Sequence, residues 1–169
     1  MFHFVRLKLL LLIVAISSLP VFSQTMQSGI NNLEQGYFLS SNGRTIICSS
    51  AEFNESGEVN GVIYTKRNKQ DITVKNASTT CTSGVFDLSY VFYSQSLFNE
   101  DISHFDVSSV YDMSYILYDA KSFNQDLSNW CVSNLATTPV NFSEGSGLRN
   151  EFQPKWGTCP LTAQINTEK

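Results

Sequence analysis

The apolar positions change their spacing several times along the chain, and each change marks a different predicted element. Leu9 to Ile16 is an unbroken apolar run, preceded by Arg6 and Lys8 and followed by Pro20 and Val21-Phe22-Ser23. A basic start, an apolar run too short to cross a bilayer and small residues beyond it predict a signal peptide over residues 1–23. A polar stretch, 24–36, follows as a flexible lead. From Tyr37 the apolar residues come in short groups: Tyr37-Phe38-Leu39, Thr45-Ile46-Ile47, Val62-Ile63-Tyr64-Thr65 and Ile72-Thr73-Val74. Ser41-Asn42-Gly43, Asn54-Glu55-Ser56-Gly57 and Asn60-Gly61 stand among them as turn signals. Residues 37–84 are therefore predicted to be a small β-rich cap with one or two hairpins.

Beyond the cap the pattern repeats. Residues 85–109, VFDLSYVFYSQSLFNEDISHFDVSS, align without a gap on 110–134, VYDMSYILYDAKSFNQDLSNWCVSN, with eleven positions identical. Self-similarity of this kind is a tandem duplication of one supersecondary unit. Ile102, Phe105, Val107 and Val110 in the first copy, and Leu127, Trp130, Val132 and Leu135 in the second, fall at a leucine-rich-repeat spacing. The alternate pairs Phe105 with Val107 and Trp130 with Val132 predict a short strand with one buried face. Asp87 and Asp112 stand as N-caps ahead of Leu88-Ser89-Tyr90-Val91-Phe92 and Met113-Ser114-Tyr115-Ile116-Leu117. The i, i+3, i+4 apolar spacing there predicts a short helix fading by Ser94 and Asp119.

The fold class expected is α/β: a short leucine-rich-repeat-like solenoid, one strand and one short helix per copy of about 25 residues. Its core is expected from Leu88, Phe92, Phe98, Ile102, Phe105 and Val107 of the first copy. Met113, Leu117, Phe123, Leu127, Trp130 and Val132 supply the second. Two copies are fewer than a stack normally needs, so the flanks must cover its ends. Residues 135–160 read as an irregular C-terminal cap holding part of a third copy, with Phe142 in a place like that of Leu117 and Pro139 cutting short any helix. Residues 161–169 read as a polar tail.

All four cysteines, Cys48, Cys81, Cys131 and Cys159, lie beyond the signal peptide and none forms a Cys-x-x-Cys pair. In an oxidising compartment this predicts two disulfides. Of the three possible pairings, Cys48 with Cys81 and Cys131 with Cys159 staples each flank of the duplicated segment. Each bridge would close a loop of roughly 30 residues and stabilise by about 3 to 4 kcal/mol.

Charge narrows the partners. With 15 acidic against 11 basic residues, two of the latter inside the signal peptide, the chain has no basic face, and nucleic acid is excluded as a partner. Lys66-Arg67-Asn68-Lys69 is a small basic cluster, read as a solvated hairpin tip or loop. No stretch after the signal peptide is apolar enough to span a membrane.

Catalytic chemistry is thin. Beyond the signal peptide His104 is the one histidine; it aligns with Asn129 of the second copy and no nucleophile-elbow sequence accompanies it, so it reads as a surface residue. Asp101 and Asp126 lie one copy apart and would stand about 5 Å from each other in a stack. That separation suits a glycan-acting hydrolase, the alternative to binding. Turn hydrogen bonding by these aspartates, and by Asn99 and Asn124, is the plainer role. No metal or cofactor site is expected. Tyr90 and Tyr93 of the first copy recur as Tyr115 and Tyr118 of the second beside the predicted helices, and Tyr111 stands beside the second of these helices. Exposed tyrosines make a binding surface, and their other possible role is packing between copies.

The motifs Phe98-Asn99, Asp101-Ile102-Ser103, Phe105-Asp106-Val107-Ser108 and Val110, with Phe123-Asn124, Asp126-Leu127-Ser128, Trp130 and Val132-Ser133, resemble the BspA-like surface-protein repeats, a leucine-rich-repeat variant also known as the DUF285 or 26-residue lipoprotein repeat. Asn60 to Arg67 and Lys155-Trp156-Gly157-Thr158-Cys159-Pro160 are similar to the flanks of such repeats in secreted proteins of the Bacteroidetes type. The resemblance implies a bacterial secreted or cell-surface protein that binds an extracellular protein or glycan, or serves as a structural surface component. In a bacterium the Asn-x-Ser sequons at Asn54, Asn76 and Asn141 would carry no glycan.

Overall fold

Two small sheets and two disulfides organise residues 36–160, those that the computed structural model describes. The expected signal peptide, nearly all of the expected lead and the expected polar tail lie outside the described residues. β1 (Phe38–Leu39) pairs antiparallel with β2 (Ile46–Ile47). Their turn is set by Asn42, whose side-chain oxygen accepts the N–H groups of Arg44 and Thr45, both at 2.9 Å. β3 (Ser56–Val59) and β4 (Val62–Lys66) form a second hairpin. Asn60 and Gly61 both take positive φ between them, +53° and +83°, as a two-residue turn matched to strand twist requires. β5 (Thr80–Cys81) runs parallel to β4.

The cap departs from the sequence reading in two elements. Ser56 and Gly57, expected in a turn, open β3, with Gly57 lying against the buried Tyr37 ring, where a larger residue would collide. Ile72 to Val74 is not a strand; it follows a single 3₁₀ turn at Lys69–Asp71 and sends Ile72 into the core.

The basic cluster is likewise not a solvated loop. Lys66 is buried, and its Nζ donates to the carbonyls of Ala51 (2.8 Å) and Ser49 (3.3 Å). Arg67 donates to Thr79 O and Thr80 Oγ1, both at 3.0 Å. Cations here replace missing backbone donors, since a buried carbonyl must find a partner.

The expected helices and strands of 85–134 are absent: among the described residues the only helical segments are 3₁₀ turns at Lys69–Asp71, Ala77–Thr79 and Asn150–Phe152. An α-helix spends each N–H on the carbonyl four residues back. Here the N–H groups of Leu88, Tyr90, Phe92 and Ser94 instead donate to Asp112, Ser114, Ile116 and Tyr118 of the second copy, at 2.7–3.0 Å. Tyr90 (φ +63°) and Ser94 (φ +55°) also turn left-handed, and Tyr115 (+58°) and Asp119 (+54°) repeat this. Asp87 and Asp112 still accept the N–H two residues on, as do Asp101, Asp106 and Asp126. Every one of these is an Asp-x-Ser turn. Phe105 to Val107 and Trp130 to Val132 are not strands either: each is a short link between two turns, closed on one side by Phe105 N to Ile102 O and Trp130 N to Leu127 O and on the other by Val110 N to Val107 O and Leu135 N to Val132 O.

The same seam recurs with the C-terminal segment. Tyr115, Leu117 and Asp119 donate to Val140, Phe142 and Glu144, at 2.8–3.0 Å. Asn141 (+49°) and Gly145 (+72°) repeat the left-handed positions of Tyr115 and Asp119. Phe142 therefore sits where Ile116 sits, one place earlier than expected, because one extra residue enters the chain between the second copy and the C-terminal segment.

The twelve core residues expected from the two copies are all buried, and they join Val110, Ile116, Phe142 and Leu148 in one cluster. Aromatic rings stack along it, Phe98 on Phe123 at 5.4 Å and Phe105 on Trp130 at 6.5 Å. Full burial of such a side chain stabilises by about 1.5–3 kcal/mol. A second cluster inside the cap holds Tyr37, Ile46, Val59 and the Cys48–Cys81 bridge. Cap and first copy meet through Ile46 N to His104 O (2.9 Å) and Ser83 Oγ to Asp106 Oδ2 (2.6 Å). His104 is thus buried rather than on the surface, with Nε2 2.9 Å from Thr80 O, because the cap covers the first copy there, whereas Asn129 is only partly buried.

Candidate binding surface

Four tyrosines form a grid on the outside of the stacked segments. The left-handed turns at residues 90 and 115 swing the chain so that Leu88 and Phe92 point inward while Tyr90 and Tyr93 point out. The seam then sets each ring on its counterpart: Tyr90 on Tyr115 at 4.8 Å and 11°, Tyr93 on Tyr118 at 5.3 Å and 9°. Neighbours within one copy, Tyr90 with Tyr93 and Tyr115 with Tyr118, stand tilted at 5.6 and 5.7 Å. The tyrosines both pack between copies and meet solvent, Tyr90 and Tyr93 remaining 53% and 42% exposed. Stacking covers ring faces, so the grid offers ring edges and hydroxyls along its side. The outer faces of Tyr90 and Tyr93 are left at its first-copy end.

The grid is bounded by acid. Asp119, burial, Glu144 and the neighbouring Tyr93 and Tyr115 together raise the Tyr118 pKa, so its phenol remains a proton donor throughout the neutral range. In the third layer Asn141 and Glu144 stand where tyrosines would continue, which ends the aromatic surface there. Phe86 and Tyr111 form a further exposed stacked pair at 6.4 Å. Phe86 is not among the surface residues expected from the sequence, although its alignment with Tyr111 is the available signal.

The other candidate groups do different work. Asp101 Oδ1 accepts Ser103 N at 2.8 Å, and Asp126 Oδ1 accepts Ser128 N at 3.0 Å. Ser128 is the largest cause of the lowered Asp126 pKa, which Arg44, 3.8 Å away, lowers further against the opposing effect of burial. A general acid needs the opposite shift. Among the described residues no cluster of three His, Cys, Asp or Glu is placed to hold a metal ion, and no helix is long and apolar enough to cross a membrane. The disulfides are Cys48–Cys81 and Cys131–Cys159.

A family model described as "Mycoplasma protein of unknown function, DUF285" matches residues 61–166, well over half of the 169-residue chain. No curated protein and no solved structure matches it.

Proposed function

The chain belongs to the DUF285 family, and from that premise we propose that it is an exported, non-enzymatic binding protein of the BspA-like, leucine-rich-repeat kind, acting at or beyond a bacterial surface. The tyrosine grid is its contact surface and an extracellular protein its partner. The observation that carries this reading is the pairwise stacking of four tyrosines, two of them half-exposed, on a scaffold whose core does not need their outer surface. Rings already locked by stacking lose little entropy on binding, and tyrosine edges with hydroxyls suit protein contacts. Two disulfides support folding in an oxidising compartment, and residues 1–23 read as the signal that leads there.

The test is binding of the mature chain to immobilised extracellular-matrix and bacterial surface proteins. The comparison is a Tyr90→Asn/Tyr93→Ser variant, which borrows asparagine from the third layer at the left-handed position. The grid reading expects retained folding and at least about tenfold weaker capture. Equal capture by both proteins would remove the grid from the interface.

A further inference from the structure

A cavity of about 700 Å³ lies where both hairpins meet the first copy, away from the tyrosine grid. Its volume falls within the range of small-molecule sites. Tyr64, Leu39 and Val62 give it an apolar wall, Arg44 enters from the β1–β2 turn, and Asp101 and His104 come from the first copy. We propose that this cavity binds an uncharged saccharide, as a free sugar or as the end of a glycan chain.

The lining specifies that chemistry. Arg44 and Asp101 are its ionised groups and their charges cancel, which favours a neutral ligand. Asp101 uses Oδ1 for its own turn, leaving Oδ2 free to accept sugar hydroxyls. The Arg44 guanidinium meets Asp126 only loosely, at 3.8 Å and half-exposed, so donors remain for hydroxyl or ring oxygens. His104 must donate through Nε2, because its partner there is the Thr80 carbonyl. Its Nδ1 is then an acceptor with no hydrogen bond among the described residues, and it is not sealed from solvent. Ser78, Thr79 and Ser103 bring hydroxyls to the rim. Burial, and then the nearby Asp101, raise the Tyr64 pKa, so its phenol stays protonated. An apolar wall facing convergent donors and acceptors matches a pyranose, which has a C–H face and a belt of hydroxyls.

The full mature chain is titrated by calorimetry with glucose, galactose, mannose and N-acetylglucosamine, and with glycine as a zwitterion that could bridge Arg44 and Asp101. At least one neutral sugar is expected to bind, with glycine silent. Asp101→Asn keeps the turn acceptor, and Arg44→Gln alters an exposed turn residue and gives up its loose ion pair with Asp126; each is expected to weaken that sugar by about tenfold or more, since each removes a charged hydrogen-bond partner. Near-UV dichroism of the buried Trp130 reports that each variant is folded. Tyr90→Asn/Tyr93→Ser is expected to leave sugar binding unchanged, so the cavity and the grid succeed or fail separately. Binding of no sugar, preference for glycine, or equal affinity in folded Asp101→Asn would each overturn the proposal.

Discussion

The side-chain oxygen of Asn99 accepts the backbone N–H of Asn124, 2.9 Å away and one copy along. Asn124 in turn accepts the N–H of Arg149 at 3.2 Å, so one asparagine position fastens both seams. Asn99→Ala is expected to lower unfolding free energy by about 1 kcal/mol, and Asn99→Asp, which keeps an acceptor oxygen, by less. Urea denaturation measures both. Equal losses in the two variants would show that the oxygen is not the fastening atom.

The left-handed positions at the second corner of each copy are Ser94, Asp119 and Gly145. Only glycine adopts that conformation without strain. Ser94→Gly should therefore be neutral or slightly stabilising. Gly145→Ala should destabilise by about 1 kcal/mol or more, since its Cβ would also meet the Asp119 carboxylate. Thermal melts of the two variants should move in opposite directions or differ clearly in size.

The bridges differ in access. Cys48 and Cys81 are fully buried, whereas Cys159 is exposed and Cys131 partly so. Mild reductant followed by alkylation and peptide mapping should label Cys131 and Cys159 first. Loss of that bridge is expected to remove about 3 kcal/mol. Cys131 stands where the first copy has Asp106, which accepts both N and Oγ of Ser108. Cys131→Asp/Cys159→Ser should accordingly be more stable than Cys131→Ser/Cys159→Ser.

Stability should fall in mild acid. Burial, outweighing the Thr80 hydrogen bond and the Asp101 charge, lowers the His104 pKa below 6.5. Between that value and the lower folded one, the unfolded chain takes up a proton that the folded chain refuses, so stability is full above about pH 6.5 and declines as pH drops through it. His104→Asn, the residue found at 129, should flatten this part of a stability-versus-pH curve. An unchanged slope would assign the decline to other groups.

Much of this architecture was legible in the residues. The gapless alignment of 85–109 on 110–134 fixed which side chains share a core layer, and Asn60-Gly61 announced its hairpin. The winding of each copy was not legible by periodicity, because Leu88, Val91 and Phe92 have the same spacing on a helix as on two consecutive turns. What separates the two is the left-handed Tyr90, a conformation tyrosine does not advertise, and the spending of alternate N–H groups on the next copy. The Asp-x-Ser triplets were the available clue, since each closes a turn on itself. His104 escaped because its surroundings come from the cap, which no comparison with Asn129 could show. The junction cavity escaped for the same reason: its walls come from residues far apart in sequence.

The central rows of the two seams run the same way, Leu88 to Ser94 donating to the second copy and Tyr115 to Asp119 to the segment after it, with bonds such as Tyr111 N to Phe86 O returning at their margins, and this makes the molecule extensible. A further module spliced in at residue 110 would meet a carbonyl row on one side and a donor row on the other, as residues 110–134 already do. Chain length can then drift in steps of one module, through duplication or loss of coding sequence, while both ends stay as they are. A version carrying 110–134 twice, with Cys131 replaced by Asp in the inserted module, is expected to fold and to melt higher than the parent in a calorimetric scan. A lower melting temperature would show that the seams are matched to their own neighbours rather than interchangeable.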